Sequence, residues 1–312
     1  MTYSIRLAES EDLPRIAEIY AGARAFMAAS GNPGQWGTNH PSQQQLAQDI
    51  CNQVLYLLED AQGIHGVFAF LLGEDPTYRV IYDGAWHYDL PYGTIHRVAG
   101  DGSGGIFSAI VAFARKRCTY LRIDTHTCNQ PMRRAIQRAG FQPCGTILTE
   151  DGSPRLAFDL CLLGFIRQAR LEDSSRLAEI LVFSKRINFY PIFRDEDFSF
   201  HQMQVVPLAQ QYMENPKWLE ETWVYDDGIV KGLVRISGRE VMQLYAEPFF
   251  ACQGVGGALL EFAKAKGACV LWALEENIRG RAFYQRHGFQ ETNVWEYEDG
   301  TDKRLLRMVY NP

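Results

Sequence analysis

The sequence predicts an α/β chain made of two consecutive domains of the same kind, and three observations lead there. The segment Ile5 to Ile19, IRLAESEDLPRIAEI, returns as Ile166 to Ile180, IRQARLEDSSRLAEI, with nine of fifteen positions identical at an offset of 161. A second echo closes each half: Asn129 precedes Gly140-Phe141 by eleven residues, and Asn277 precedes Gly288-Phe289 by eleven, at an offset of 148. Between the echoes, each half alternates strand-like and helix-like segments around a glycine-rich turn. A period this long belongs to a duplicated domain and not to a solenoid. The 312 residues suffice for two domains of ordinary size. The boundary falls after RLAFDLCLL, near Leu162 to Gly164, giving domains 1–162 and 163–312.

Taken in order, the elements of the two halves match. Each opens on Ile-Arg at the end of a strand. Glu11-Asp12 and Glu172-Asp173 then fall at helix starts, where carboxylates favour the positive end of the dipole. Leu13, Ile16 and Ala17 recur at helical spacing, as do Leu177, Ala178 and Leu181. The first helix is followed by GNPGQWGTNHPS, residues 31–42, a loop shaped by Pro and Gly and carrying Trp36 and Asn39. Its counterpart, FSKRINFYPIFRDEDFSF, reads as a longer loop, dense enough in aromatics to require a packing partner. Next come strand, glycine-rich turn and helix: YGTIHRVAGDGSGGIFSAIVAFARKR in one half, VMQLYAEPFFACQGVGGALLEFAKAKG in the other. A further strand, YLRIDTHTCN or CVLWALEEN, leads to a helix closed by glycine, AIQRAGF or AFYQRHGF. The first half is about thirteen residues longer in its middle.

Composition narrows the function. Hydrophobic residues make up 46% and the net charge is −6, so no basic face for nucleic acid is expected. The most apolar run, GIFSAIVAFA, is ten residues long, too short to span a bilayer, and the charged N-terminal stretch lacks the apolar core of a signal peptide. Seven cysteines without a CxxC pair fit thiols in a reducing compartment, so a cytoplasmic location is expected.

ACQGVGGALL, residues 251–260, poses the functional question. A strand, a glycine-rich turn and a helix present unsatisfied backbone N–H groups at a helix N-terminus, where an anion such as a phosphate is favoured. No Lys-Ser or Lys-Thr follows, as a P-loop requires; Leu259 occupies the third glycine of a dinucleotide fingerprint; no serine is present for a nucleophile elbow. An ordinary turn and a phosphate cradle remain.

The run LYAEPFFACQGVGGALLEFA followed by ALEENIRGRAFYQRHGFQET resembles the GNAT acyltransferases, which use acyl-CoA. The family pattern (Q/R)xxGx(G/A) is matched at Gly254 and Gly256, with Ala251 where the family has Gln or Arg and Gln253 two residues on. Asn277, Phe283, Tyr284, Gly288 and Phe289 follow in family order. The first half, with HRVA and DTHTCN, is similar to a GNAT subgroup whose strands read HRxA and DTHxxN, but lacks the GxG spacing. The resemblance implies two GNAT-like domains, each a mixed, mostly antiparallel twisted sheet flanked by helices. It implies acetyl-CoA as co-substrate and no metal. The residues expected to hold acetyl-CoA are Tyr245 and Ala246, through backbone groups, then Gln253, Gly254, Val255, Gly256, Gly257, Ala258, Asn277 and Phe283. In the first half they are Val98, Gly102, Gly104, Gly105 and Asn129.

Acyl transfer from a thioester to an amine needs the amine to lose a proton, the oxyanion to be stabilised and the thiolate to leave with a proton. The resemblance makes Tyr284, seven residues after Asn277, the general acid; the same position in the first half is Ile136. Tyr284 otherwise reads as a packed aromatic on an amphipathic helix. Glu240, eleven residues before Ala251, is a candidate general base or a solvated turn residue. Asp124, His126 and Cys128 alternate on a strand, so Asp124 and His126 share a face, but no second ligand pair stands nearby and a metal is not expected. Arg97, beside His96, is a further cleft candidate. The expected function is acetyl transfer to a primary amine of a small molecule or peptide, in the C-terminal domain of a monomer or homodimer. The alternative is a non-catalytic tandem acyl-CoA-binding or scaffolding protein, favoured by Ala251 and Ile136.

Overall fold

Arg6 and Arg167 show what the repeat encodes. The Arg6 guanidinium donates to both carboxylate oxygens of Asp12, at 2.7 and 2.8 Å, and its Nε donates to Glu59 at 3.0 Å. Arg167 repeats this with Asp173, at 2.8 and 2.9 Å, and Asp226, at 2.9 Å. Each aspartate also accepts a backbone N–H at 2.8 Å, from Glu9 or Arg170. A fork of charge-assisted bonds thus fixes the first strand to the entry of the first helix in both halves. A second motif repeats as well. Arg15 and Arg176 donate to the carbonyls of Ile64 and Val230 and pair with Asp101 and Glu247.

These contacts belong to a computed structural model that describes residues 3–311. The chain divides into two units, Met1–Cys161 and Leu162–Pro312. The first contains β1 (Ser4–Leu7), α1 (Leu13–Ala29), α2 (Gln43–Cys51), β2 (Leu55–Asp60), β3 (Gly63–Leu72), β4 (Gly93–Gly100), α3 (Ile106–Arg115), β5 (Tyr120–Thr125), α4 (Gln130–Arg138), β6 (Gln142–Leu148) and β7 (Pro154–Cys161). Its seven-stranded sheet has the order β1-β2-β3-β4-β5-β7-β6. Every neighbouring pair is antiparallel except β4 and β5.

Strand alternation builds two cores. On β2 and β3, Leu55, Leu57, Val67 and Ala69 point to one face and pack with Ile16, Ile19 and Tyr20 of α1. Tyr56, Phe68 and Phe70 point to the other and stack around Phe113 of α3, with ring centroids 4.7 to 6.1 Å apart. The longer middle of this unit folds between β3 and β4. There Trp86 stacks on Tyr78 at 5.3 Å, and the buried Arg122 guanidinium lies 4.1 Å from the Trp86 ring and 3.9 Å from Tyr92.

The second unit contains β8 (Ile166–Gln168), α5 (Ser174–Phe193), α6 (Val205–Glu214), α7 (Pro216–Glu220), β9 (Thr222–Asp226), β10 (Val230–Ser237), β11 (Glu240–Ala246), α8 (Val255–Ala265), β12 (Val270–Leu274), α9 (Ile278–Arg286), β13 (Phe289–Tyr297) and β14 (Arg304–Tyr310). Its order, β8-β9-β10-β11-β12-β14-β13, is that of the first unit, and again only the β11–β12 pair is parallel. Both sheets are therefore mixed and mostly antiparallel, with helices on both faces, as the sequence predicts. Leu177, Ile180 and Leu181 of α5 pack with Tyr212, Val224 and Leu233 on one face. Phe262 of α8 meets Trp223 at 4.8 Å on the other.

One reading of the sequence is corrected here. The aromatic stretch 183–200 is no loop: α5 runs through Phe193, and a turn of π-helix, Asp197–Gln202, follows. Pro191 lies so close to the end of α5 that it removes one late helical bond without breaking the earlier turns, and Arg194 in the left-handed region closes the helix. No helix among the described residues is long and apolar enough to cross a membrane.

The buried ion pairs set an acid limit on stability. The Arg6 hydrogen bond holds the Asp12 carboxyl below the ordinary range. Burial pushes Asp75 upward, but hydrogen bonds from His96 and Thr77 override it and hold the group at about 2. A carboxylate depressed in the folded state contributes fully above its unfolded value, about 4, and loses that contribution as pH falls through the folded value. The melting midpoint is expected to fall between about pH 4 and pH 2. Asp75→Asn should lower it at neutral pH by about 2 kcal/mol of stability while flattening the acid limb. Circular-dichroism melts from pH 7 to 2 check this; an unchanged acid limb in the variant would contradict it.

Candidate active site

The parallel pair β11–β12 is bonded only at its start, Glu240 to Val270 and Val241 to Leu271. Beyond these residues the strands part, and residues 243–246 face a gap that opens toward the carboxyl ends. In sheets with parallel strands, ligands enter at that end. The chain leaves β11 through Glu247, which is buried and paired with Arg176 at 3.0 Å. It then makes a single 3-10 turn, Pro248–Phe250, and passes Cys252 and Gly254, both left-handed, with φ of 63° and 87°.

Each glycine of the turn has its own reason. Gly254 takes the left-handed conformation that opens α8. Gly257 admits the His287 ring, which would lie 3.2 Å from an added Cβ, and so lets α8 and α9 approach. Gly256 has neither constraint: an added Cβ would make only ordinary contact with Phe283, at 3.5 Å. The first helical bond runs from the Ala258 N–H to the Gly254 carbonyl. The N–H groups of Val255, Gly256 and Gly257 therefore have no partner within the helix and point at the mouth of the gap.

Asn277 caps α9 by accepting the Gly280 N–H at 3.0 Å, as Asn129 caps α4 by accepting the Met132 N–H at 3.2 Å. Two turns on, α9 presents Phe283 and Tyr284. The Tyr284 ring is half-buried, edge-on to Phe283 at 5.4 Å and to Phe289 at 6.2 Å. Its hydroxyl has no hydrogen-bond partner among the described residues, and burial pushes it up to about 12. Burial also raises the Tyr245 phenol, with the nearby Tyr284 and Glu298 adding to the effect. The fold thus brings Phe283 against Gly256, and Tyr284 beside Phe283 and near Tyr245, while Ala246, Gln253, Gly254, Val255, Ala258 and Asn277 lie on the flanking strand, turn and helix ends.

Glu240 stands apart. It occupies the bonded end of β11, six residues from Ala246, or about 20 Å at the rise of a strand. Two charged groups missed by the sequence reading lie nearer: Glu298 at the β13–β14 turn and Lys185 on α5, whose ammonium is pulled down by burial and partly supported by Glu298. Reading 183–200 as a loop hid the helical spacing of Leu181 and Lys185, the signal that would have found it.

The first unit repeats the splay, with β4 and β5 bonded only from Gly93 to Ile95. Gly105, φ 82°, opens α3, and Asn129 caps α4. The rest differs. The turn takes five residues from Gly100 to Gly105, against eight from Ala246 to Gly254. Phe107 stands where the second unit has Gly256. The Ser103 N–H is taken by Asp101 at 3.1 Å, and Asp101 is held by His65. The Gly104 carbonyl accepts the Tyr3 hydroxyl, while Gly102 is left-handed at φ 100° and exposed. Val98 follows a bulge marked by Arg97 at φ 52°. Asn129 donates its amide to Gln35 at 2.9 Å, and Ile136 is fully buried.

Asp124 bonds the Tyr78 hydroxyl at 2.7 Å and lies 3.7 Å from His96, whereas the half-buried His126 bonds the Cys128 N–H. Elsewhere His87, Cys144 and Asp159 converge within 4.8 Å, but Cys144 and Asp159 both address the same His87 Nδ1, at 3.5 and 2.8 Å.

A split parallel pair closed by a glycine turn and a helix N-terminus defines an α/β protein with free backbone donors at the mouth of its sheet. Comparison with known proteins makes the class particular. The family model described as Acetyltransferase (GNAT) domain matches residues 218–291, which include the turn, Asn277 and Tyr284. The second unit thus carries a match to the GNAT acetyltransferase family over residues 218–291, and the first shares its strand order, splay and ion-pair clusters, so the chain holds two GNAT-like domains in tandem.

Among solved structures, a GNAT family acetyltransferase from Streptococcus agalactiae is 25% identical, covering 51% of this chain and 95% of its own, with a TM-score of 0.47. Apo YjaB from Escherichia coli is 25% identical over 46% of this chain and 95% of its own, TM-score 0.37. The PaiA N-acetyltransferase from Thermoplasma acidophilum, solved with coenzyme A, is 21% identical over 46% and 98%, TM-score 0.35. No curated protein matches the chain.

Proposed function

We propose that the second unit transfers an acetyl group from acetyl-CoA to a primary amine by direct attack in a ternary complex. The observation that carries this reading is the free Tyr284 hydroxyl at a splayed strand pair whose mouth is closed by unpaired backbone donors. The residues fit the co-substrate: Gly256 leaves room at the N-terminus of α8, and three N–H groups with the helix dipole suit a pyrophosphate. Bound acetyl-CoA supplies the activated acyl group. The chain does the rest. Backbone groups of Tyr245 and Ala246 align the acyl end along β11. Tyr284, protonated throughout the neutral range, donates to the departing sulfur. Glu298, whose charge bears on Tyr245 and Lys185, is assigned to take the proton of the incoming ammonium, with Glu240 at the bonded end of β11 as the other candidate. The first unit is a structural partner in this reading, since the Ser103 N–H of its turn and the amide of its capping Asn129 are already engaged, Phe107 stands where Gly256 leaves room, and its acid position is Ile136.

Calorimetric titration with acetyl-CoA should therefore show one site per chain. Two sites would place a working cradle in the first unit as well; no binding would leave the non-catalytic scaffold as the better reading.

A further inference from the structure

A cavity of about 240 Å³ lies beside β11 in the second unit, between α5, the π-helical turn and α6. Its polar lining is Lys185, Gln243, Gln202, Gln204 and Gln211, and it includes no acidic residue. Lys185 is half-buried and its Nζ has neither an ion pair nor a hydrogen bond among the described residues. Arg235, opposite Gln243 in the sheet register, lies close enough to bear on Lys185, and its buried Nε also lacks a partner. The Arg235 guanidinium is stacked 4.8 Å from the Trp218 ring, which holds it in place without satisfying its donors. Gln243 accepts the Tyr212 hydroxyl on its oxygen at 3.2 Å, which turns its NH₂ outward as a donor. Lys185 and the Gln243 amide therefore line a cavity whose wall carries no acidic residue, with Arg235 adding positive charge and Glu298 bearing on Lys185 from outside the wall. Burying cations in this way is costly unless an anion completes the set.

We propose that this cavity is the acceptor subsite and that it takes a carboxylate, so that the amine acetylated is a small amino acid. The inference rests on the reading given under Proposed function. At about 30 Å³ per water the cavity has room for about eight waters, enough to seat a small amino acid. Orientation follows from β11. Gln243 lies in the cavity and Tyr245 two residues on, so a carboxylate on Lys185 and Gln243 directs the α-amine toward Tyr245, Glu298 and the splay.

The test uses the full chain, acetyl-CoA, the twenty standard amino acids and the amide of each that reacts. At least one amino acid should be acetylated with kcat/KM ten times or more that of its own amide. Lys185→Met should erase that preference, mainly by raising KM, while Lys185→Arg retains it and both variants bind acetyl-CoA as the parent does. Titrating the reactive amino acid into the CoA-loaded protein should give heat in the parent and none in Lys185→Met. An amide equal to its acid, or a Lys185→Met protein with the parent's preference, overturns the subsite. Binding of acetyl-CoA with no amino acid accepted overturns it too while sparing the transferase reading; failure to bind acetyl-CoA removes both.

Discussion

Replacing Tyr284 by Phe lowers turnover at least tenfold and leaves acetyl-CoA affinity within about twofold. The substitution keeps the ring that packs on Phe283 and Phe289 and removes only the hydroxyl. Because that hydroxyl has no protein partner, its loss orphans no buried group and the fold has no reason to weaken. What disappears is a donor whose partner exists only as the carbon–sulfur bond breaks. Such a loss falls on kcat and kcat/KM together. Burial holds the phenol up at about 12, so the parent's rate should not fall through loss of this proton anywhere in the neutral range. Steady-state release of free thiol, paired with calorimetric affinity, checks both halves. An unchanged kcat removes Tyr284 from the mechanism.

Gly256→Glu should weaken acetyl-CoA binding at least a hundredfold, about 2.7 kcal/mol. The position is unusually clean for this purpose. A Cβ there meets nothing closer than 3.5 Å, so the backbone tolerates a side chain and a folded protein is expected. The new carboxylate sits on the first turn of α8, where it occupies the dipole's positive end and opposes an incoming pyrophosphate. Gly256→Ala is the control and should bind nearly as the parent does. If Gly256→Glu binds as well as Gly256→Ala, the turn is no phosphate cradle, and the scaffold reading gains.

The fold was legible because its determinants are local. Ile-Arg followed by Glu-Asp announced the strand-to-helix fork of Arg6 with Asp12 and of Arg167 with Asp173. Asn followed at eleven by Gly-Phe announced a capped helix. The glycines of the turn could be seen but not sorted: only the packing shows that Gly254 serves conformation, Gly257 serves His287, and Gly256 serves neither. The proposed acceptor side was hidden for a different reason. Lys185, Gln243, Arg235 and Glu298 come from four separate elements and no spacing relates them. Pro191 disguised the helix that carries the first of them. Counting along the chain gives the distance of Glu240 from Ala251 but not that it lies at the bonded end of β11.

The parting of β11 from β12 also bears on what counts as the complete molecule. A sheet is ordinarily closed to newcomers in its middle and vulnerable only at its outer strands. Here residues 243–246 form an inner margin, a seam left unstitched in the centre of the sheet. A margin of unpaired peptide groups accepts whatever slender, amide-bearing chain can lie along it, and coenzyme A has such an arm. In the reading proposed above, such a guest would work as a temporary strand, mending the sheet for as long as it stays. In the reaction proposed above, each cycle would begin by closing that line and end by opening it again.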